Sequence, residues 1–160
     1  MKLSQLVTAD QILPEMKAGK HWDAIVELVD HLVAIGKLPG EMRAETLASL
    51  KVREELVSTG IGGGVAIPHA FSDELDQVVA VFGRSHAGID FEALDGEPVH
   101  HVILFIVPRK DYHLHLQTLA AIAKMFTNGE IRRRIREAGS REEILAILDP
   151  KSSRAGATGA

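Results

Sequence analysis

Apolar residues first recur at helical spacing between Trp22 and Val33. Trp22, Ile25, Val26, Val29, Leu32 and Val33 form one stripe, with Asp23, Glu27, Asp30 and His31 between them. Residues three and four apart share a helix face, so this stretch predicts an amphipathic helix. Gly36 supplies a left-handed stop and Pro39 forbids continuation. A looser stripe of Met42, Leu47, Leu50 and Val57 predicts a second helix from Glu41 to Leu56, with a break near Ser49. The period then changes. Val65-Ala66-Ile67, Val78 to Phe82 and His100 to Val107 are short, nearly continuous apolar runs, as expected of strands buried on both faces; Pro108 stops the last. Ile12-Leu13 reads as a short strand ending an entry segment.

Gly88 to Pro98 reads as a loop with its own apolar anchors and a turn at Asp95-Gly96. Helical spacing returns from Tyr112 to Phe126, with Leu116, Leu119, Ala120, Ala123 and Phe126 as the expected buried stripe. Asn128 is a cap for a helix carrying Ile131 and Ile135, and Ser140 with Glu143 forms a capping box opening a last helix through Ile144 and Leu148. Helices interleaved with buried strands predict an α/β fold: a three-layer single domain over residues 1–148, with helices on both faces of the sheet. Residues 149–160, small and polar, are expected to be a disordered tail.

Composition narrows the function. The net charge is −4, which argues against a nucleic-acid partner. Arg132, Arg133, Arg134 and Arg136 form a basic cluster, but on a helix they spread around the circumference, as a solvated surface does. The chain has no cysteine, which removes disulfides, thiolate metal sites and cysteine catalysis. The longest strongly apolar run, Val102 to Val107, is far short of the roughly 20 residues a membrane helix needs. With no signal-peptide pattern at the N-terminus, the reading is a cytoplasmic protein without membrane insertion.

The candidate chemistry centres on Gly60-Ile61-Gly62-Gly63-Gly64-Val65-Ala66-Ile67-Pro68-His69-Ala70. A glycine run leads into a short strand that closes on a proline and one histidine. Imidazole is nucleophilic near neutral pH, and glycine-loop amides suit an anion. The glycines complete no dinucleotide fingerprint, and no Lys-Ser or Lys-Thr pair follows as in a nucleotide-binding loop. Of the other histidines, His21 and His31 fall on the polar side of the first helix. His100 and His101 should point to opposite sides of a strand, and His113 and His115 diverge at the start of a helix. A metal-dependent hydrolase built on these clusters is the distant alternative; neither HxxxH nor HExxH spacing occurs, so no metal and no cofactor are expected. Arg53 lies on the helix that runs into the glycine segment, where a guanidinium can hold phosphate oxygens through paired hydrogen bonds.

Ser58 through His69 closely resembles the active-site motif of the IIA components of the bacterial phosphoenolpyruvate-dependent phosphotransferase system, fructose/mannitol type, a class that includes the nitrogen-regulatory IIA proteins. Two further stretches match in order and spacing: His115-Leu116-Gln117-Thr118-Leu119-Ala120-Ala121-Ile122-Ala123, and Gly88-Ile89-Asp90-Phe91 through Asp95-Gly96-Glu97-Pro98-Val99. The resemblance implies a mixed sheet flanked by helices. It implies that His69 accepts a phosphoryl group, that His115 is the second active-site histidine, and that Arg53 belongs to the family's upstream Arg-Glu pair. The implied donor is an HPr-type phosphocarrier. In fructose- and mannitol-type relays the next acceptor is a cysteine on a IIB domain. A chain without cysteine is therefore expected to be a free-standing IIA unit, which hands phosphate to a separate IIB protein or acts as a phosphorylation-state regulator.

Overall fold

A computed structural model of the chain describes residues 3–56 and 59–149. Val57, the start of the motif at Ser58 and the expected tail from Pro150 onward lie outside the described residues. The elements, in chain order, are α1 (Leu3–Leu6), β1 (Ile12–Leu13), α2 (His21–Ala34), α3 (Arg43–Leu56), β2 (Gly60–Gly62), β3 (Val65–Ala66), β4 (His69–Ser72), β5 (Val79–Ile89), β6 (Val99–Pro108), α4 (Tyr112–Met125), α5 (Gly129–Glu137) and α6 (Arg141–Leu148).

The sheet is mixed and open, in the order β1-β5-β6-β3-β2, with β4 also paired to β6. β5 and β6 form a long antiparallel pair at its centre; β1 joins β5 in parallel, and β3 and β4 follow one another in parallel along the other side of β6. Side chains alternate between the two faces, and this divides the core. Val81, Val102, Leu104 and Ile106 pack with Ile25, Leu28, Val29 and Leu32 of α2 and Leu50 of α3. Phe82, Ile103, Phe105 and Val107 pack with Ile122 of α4, Ile131 and Ile135 of α5, and Ile144 and Leu148 of α6. The molecule is thus a three-layer α/β sandwich. Each fully buried Leu, Ile, Val or Phe contributes about 1.5–3 kcal/mol of transfer free energy, so both layers are held chiefly by burial.

The punctuation works as the sequence implies. Gly36 takes φ +77° just beyond α2. The Asn128 side chain accepts from the Glu130 and Ile131 amides, and the Ser140 hydroxyl accepts from the Glu143 amide. The second arm of the Ser140 capping box is displaced by one residue, because the Glu143 carboxylate accepts from the Gly139 amide.

Four expectations are corrected. α3 runs unbroken through Ser49, since serine costs a helix only a fraction of a kcal/mol against alanine. The glycine stretch holds β2, paired antiparallel to β3 across the Gly62–Gly64 turn. On α4 the deeply buried positions are His115, Thr118 and Ile122, while Leu116 is 43 % exposed and Ala120 is exposed. Apolar residues surround nearly the whole of α4, so its pattern does not choose a face. Finally, His21 and His31 are half-buried rather than surface groups: the His21 ring lies 5.3 Å from that of Phe91, and the His31 Nε2–H donates to the Asp10 carbonyl at 2.7 Å.

Candidate functional site

His69 opens β4 rather than closing β3. Pro68 lies between the two strands and has no amide hydrogen, yet its carbonyl accepts from the Phe105 amide at 3.0 Å. β3 and β4 are therefore one line of pairing along β6, interrupted where the ladder loses a donor. His69 stands opposite Phe105. Ala70 packs into the α2/α3 layer and Phe71 against the α4 layer, so alternation turns the His69 ring toward the α4 side.

The ring is half-buried, and its Nδ1–H donates to the Ile67 carbonyl at 3.2 Å. That contact assigns the tautomer: Nδ1 keeps the proton and Nε2 carries the lone pair. Burial pushes the imidazole below the ordinary histidine value. The Arg53 charge acts in the same direction; the Ile67 contact and the Glu54 carboxylate oppose it. At neutral pH the ring is accordingly an uncharged base.

Arg53 and Glu54, in the last turns of α3, act on this ring through their charges. Glu54 also fixes the chain that carries His69. Its carboxylate accepts from the Thr59 hydroxyl and, at 3.4 Å, from the Thr59 amide; the Thr59 carbonyl in turn accepts from the Ile67 amide at 3.0 Å. Glu54, the acidic member of the Arg-Glu pair, thus joins Arg53 as a candidate site residue. Aromatic rings extend the site: Phe71 lies edge-on to His69 at 6.0 Å, Tyr112 edge-on to Phe71 at 5.1 Å, and the Arg109 guanidinium 5.7 Å over Phe71.

His115 sits in the same sheet layer, on the first turns of α4. It is buried, and its Nδ1 has no hydrogen-bond partner among the described residues. It opens onto a cavity of about 610 Å³ together with Gln11, Val78, Val79, Asp111 and Leu114, and His69 is not among the residues of that wall. The structure thus joins Arg53 electrostatically to His69, and sets His115 in a neighbouring recess.

The glycine turn does not adjoin His69. It lies at the far end of β3, and its Gly63 amide donates to the Asp95 carboxylate at 3.0 Å. Among the described residues, no three His, Cys, Asp or Glu side chains gather where they could hold a metal ion. No helix among them is long and apolar enough to cross a membrane.

Residues 5–151 match the family described as "Phosphoenolpyruvate-dependent sugar phosphotransferase system, EIIA 2", and the chain belongs to that family. A nitrogen regulatory protein of Bradyrhizobium diazoefficiens is 32% identical over 92% of this chain and 95% of its own length. The fructose-specific EIIABC component of Bacillus subtilis is 35% identical over 93% of this chain, which spans only 23% of that longer protein. The crystal structure of nitrogen regulatory protein IIA-Ntr from Neisseria meningitidis superposes with a TM-score of 0.83 at 31% identity, covering 92% of this chain and 99% of that one. The fold is also that of enzyme IIA mannitol from Escherichia coli, solved in complex with phosphorylated enzyme IIB mannitol (TM-score 0.72, 21% identity, covering 89% and 96%).

Proposed function

We propose that this chain is a cytoplasmic phosphocarrier that accepts a phosphoryl group from an HPr-type donor on Nε2 of His69 and passes it to a separate IIB protein. The observation that carries this reading is the Nδ1–H contact to the Ile67 carbonyl, which leaves Nε2 as the nucleophile. In the forward step the Nε2 lone pair forms the N–P bond as the donor's N–P bond breaks, and the donor ring keeps the electron pair. The phosphorylated ring gains positive charge, which the Ile67 carbonyl stabilises through Nδ1–H. Phosphoryl transfer of this kind needs positioning and charge stabilisation more than covalent chemistry. Arg53 supplies positive charge for the equatorial oxygens. His115 helps orient or bind the phosphoryl group during exchange, its Nδ1 having no other partner among the described residues.

The relatives favour a second output for the same chemistry. Proteins named nitrogen regulatory match nearly their full length here, so the phosphorylation state of His69 can control partner proteins through the roughly −2 charge it adds.

The test is incubation with phosphoenolpyruvate, enzyme I and HPr, followed by measurement of acid-labile phosphate. The wild-type chain is labelled and His69→Ala is not; undiminished label on that variant refutes the assignment. His115→Ala is labelled but passes phosphate on slowly, and wild-type onward transfer would remove it from the mechanism. Capture of partners by wild-type and His69→Ala protein then separates transport from regulation.

A further inference from the structure

Four residues back along β6 from the position opposite His69, about 13 Å at strand spacing, a second cavity opens between the β6 start, the glycine turn and α5. Its volume is about 390 Å³, and Arg132, Arg136, His100, His101 and Gly129 stand in its wall. We propose that this cavity binds the phosphoryl group of a small phosphorylated metabolite, at a site separate from His69.

The arginines of α5 are not equivalent. Arg133 is taken up by Glu130 and Glu137. Arg132 and Arg136, one turn apart, have no carboxylate ion pair among the described residues. The Arg132 Nη1–H donates to the Gly63 carbonyl at 2.6 Å, which fixes the guanidinium against the turn, while its Nε is buried and has no partner. His101 is only 2 % exposed and lines the cavity, and its Nδ1 has no partner among the described residues. A buried polar atom without a partner is uncommon because it forfeits hydration for nothing, and this one lies in a residue of the cavity wall.

The other groups of the wall agree. Gly129 is the first residue of α5, so the positive end of the helix dipole faces the space. Among the described residues of the wall the one acidic group is Glu97, which is exposed. Its neighbour Asp95 is occupied by the Gly63 and Glu97 amides. Two guanidiniums, a buried ring nitrogen and a helix start match the tetrahedral oxygens of a phosphate monoester. The volume leaves room for a small organic group beyond it.

Calorimetric titration of the full chain with inorganic phosphate and with a hexose monophosphate tests the site. We expect saturable one-to-one binding that His69→Ala leaves unchanged and that Arg136→Gln weakens about tenfold. Arg136 is exposed, so its substitution does not threaten the fold. In parallel, the ring nitrogen resonances of His101 should shift on ligand addition. Tighter binding of the hexose phosphate identifies a phosphorylated metabolite as the ligand. Equal or weaker binding overturns that identity and leaves only a phosphate subsite. The site is refuted if there is no saturable binding in the millimolar range, if binding is lost with His69→Ala, or if Arg136→Gln binds as the wild type does.

Discussion

The Nδ1–H of His69 donates to the carbonyl of Ile67, two residues back along the same edge. Pro68, between them, fixes its own φ and lacks an amide hydrogen, so this backbone cannot easily slip relative to the ring. Because the ring is held neutral, acceptance of phosphate should persist at acidities where an ordinary histidine is already protonated. In single-turnover transfer from a phosphorylated donor, the rate should reach half its plateau value only at a pH below the ordinary histidine value of about 6.5. A rate that halves at 6.5 or above would show that burial does not govern the nucleophile.

Arg53 and Glu54 are adjacent in sequence but act on His69 with opposite sign. Removing the cation in Arg53→Gln should raise the His69 titration midpoint, and Glu54→Gln should lower it. Proton NMR titration of the ring reads both directions. Arg53→Gln should also slow phosphoryl acceptance about tenfold, the usual worth of one charge-assisted hydrogen bond. Shifts of the same sign in both variants would show that they act through packing instead.

Arg84 is buried to 4 % exposure. Its Nε–H donates to the Pro14 carbonyl, and Nη1–H groups donate to the carbonyls of Ile135 and Ala138. One guanidinium thus ties the entry segment to the end of α5. Lysine has no rigid fork and cannot reach all three acceptors. Arg84→Lys should cost about 2–3 kcal/mol in urea unfolding, and a loss under 1 kcal/mol would mean that ordered water replaces the lost contacts.

Gly63 takes φ +65°, and a Cβ there would collide with Nη1 of Arg132. The guanidinium is the flexible partner and moves first. Gly63→Ala should therefore cost about 1–2 kcal/mol of stability from the left-handed backbone, and should weaken phosphate binding at the α5 cavity by releasing Arg132. Unchanged phosphate affinity would detach Arg132 from the binding site.

What the sequence conveys depends on how many faces an element buries. β6 and the start of β5 are legible because both sides are covered and the apolar run is continuous; β5 runs on to Ile89, past the Val78 to Phe82 run and into the expected loop at Gly88, where Arg84, Ser85 and His86 break the apolar pattern. α2, α5 and α6 are legible because Gly36, Asn128 and Ser140 mark their ends. β2 and β4 are not, since glycine and the His-Ala-Phe-Ser run lack any strand signature; their pairing with β3 and β6 is tertiary. The same limit applies at the site. His69 and Arg53 can be picked out from their neighbours, and Glu54 is visible as the partner of Arg53 in an Arg-Glu pair, but its hold on Thr59 is tertiary. Arg132 and Arg136 read as solvated surface until α5 is docked beside His101.

His101 makes a stability test that separates it from every other histidine. Its ring stacks 6.2 Å from Phe82 and lies 6.0 Å from Phe126. Burial, followed by the charges of His100, Arg136, Arg132 and Arg84, pushes its pKa down to about 3. In the unfolded chain the same ring titrates near 6.5. Between these values the unfolded state binds a proton that the folded state refuses. The stability contribution is whole above pH 6.5 and is lost progressively as the pH falls toward 3, at about 1.4 kcal/mol per unit. At pH 4.5 the deficit from this one ring is about 2–3 kcal/mol. His101→Phe keeps an aromatic ring between Phe82 and Phe126 and removes the proton. Urea unfolding at pH 7 and pH 4.5 should show the wild type losing about 2–3 kcal/mol more than His101→Phe over that interval. Parallel losses in the two proteins would mean that the folded chain protonates His101 readily, through water or a rearranged α5.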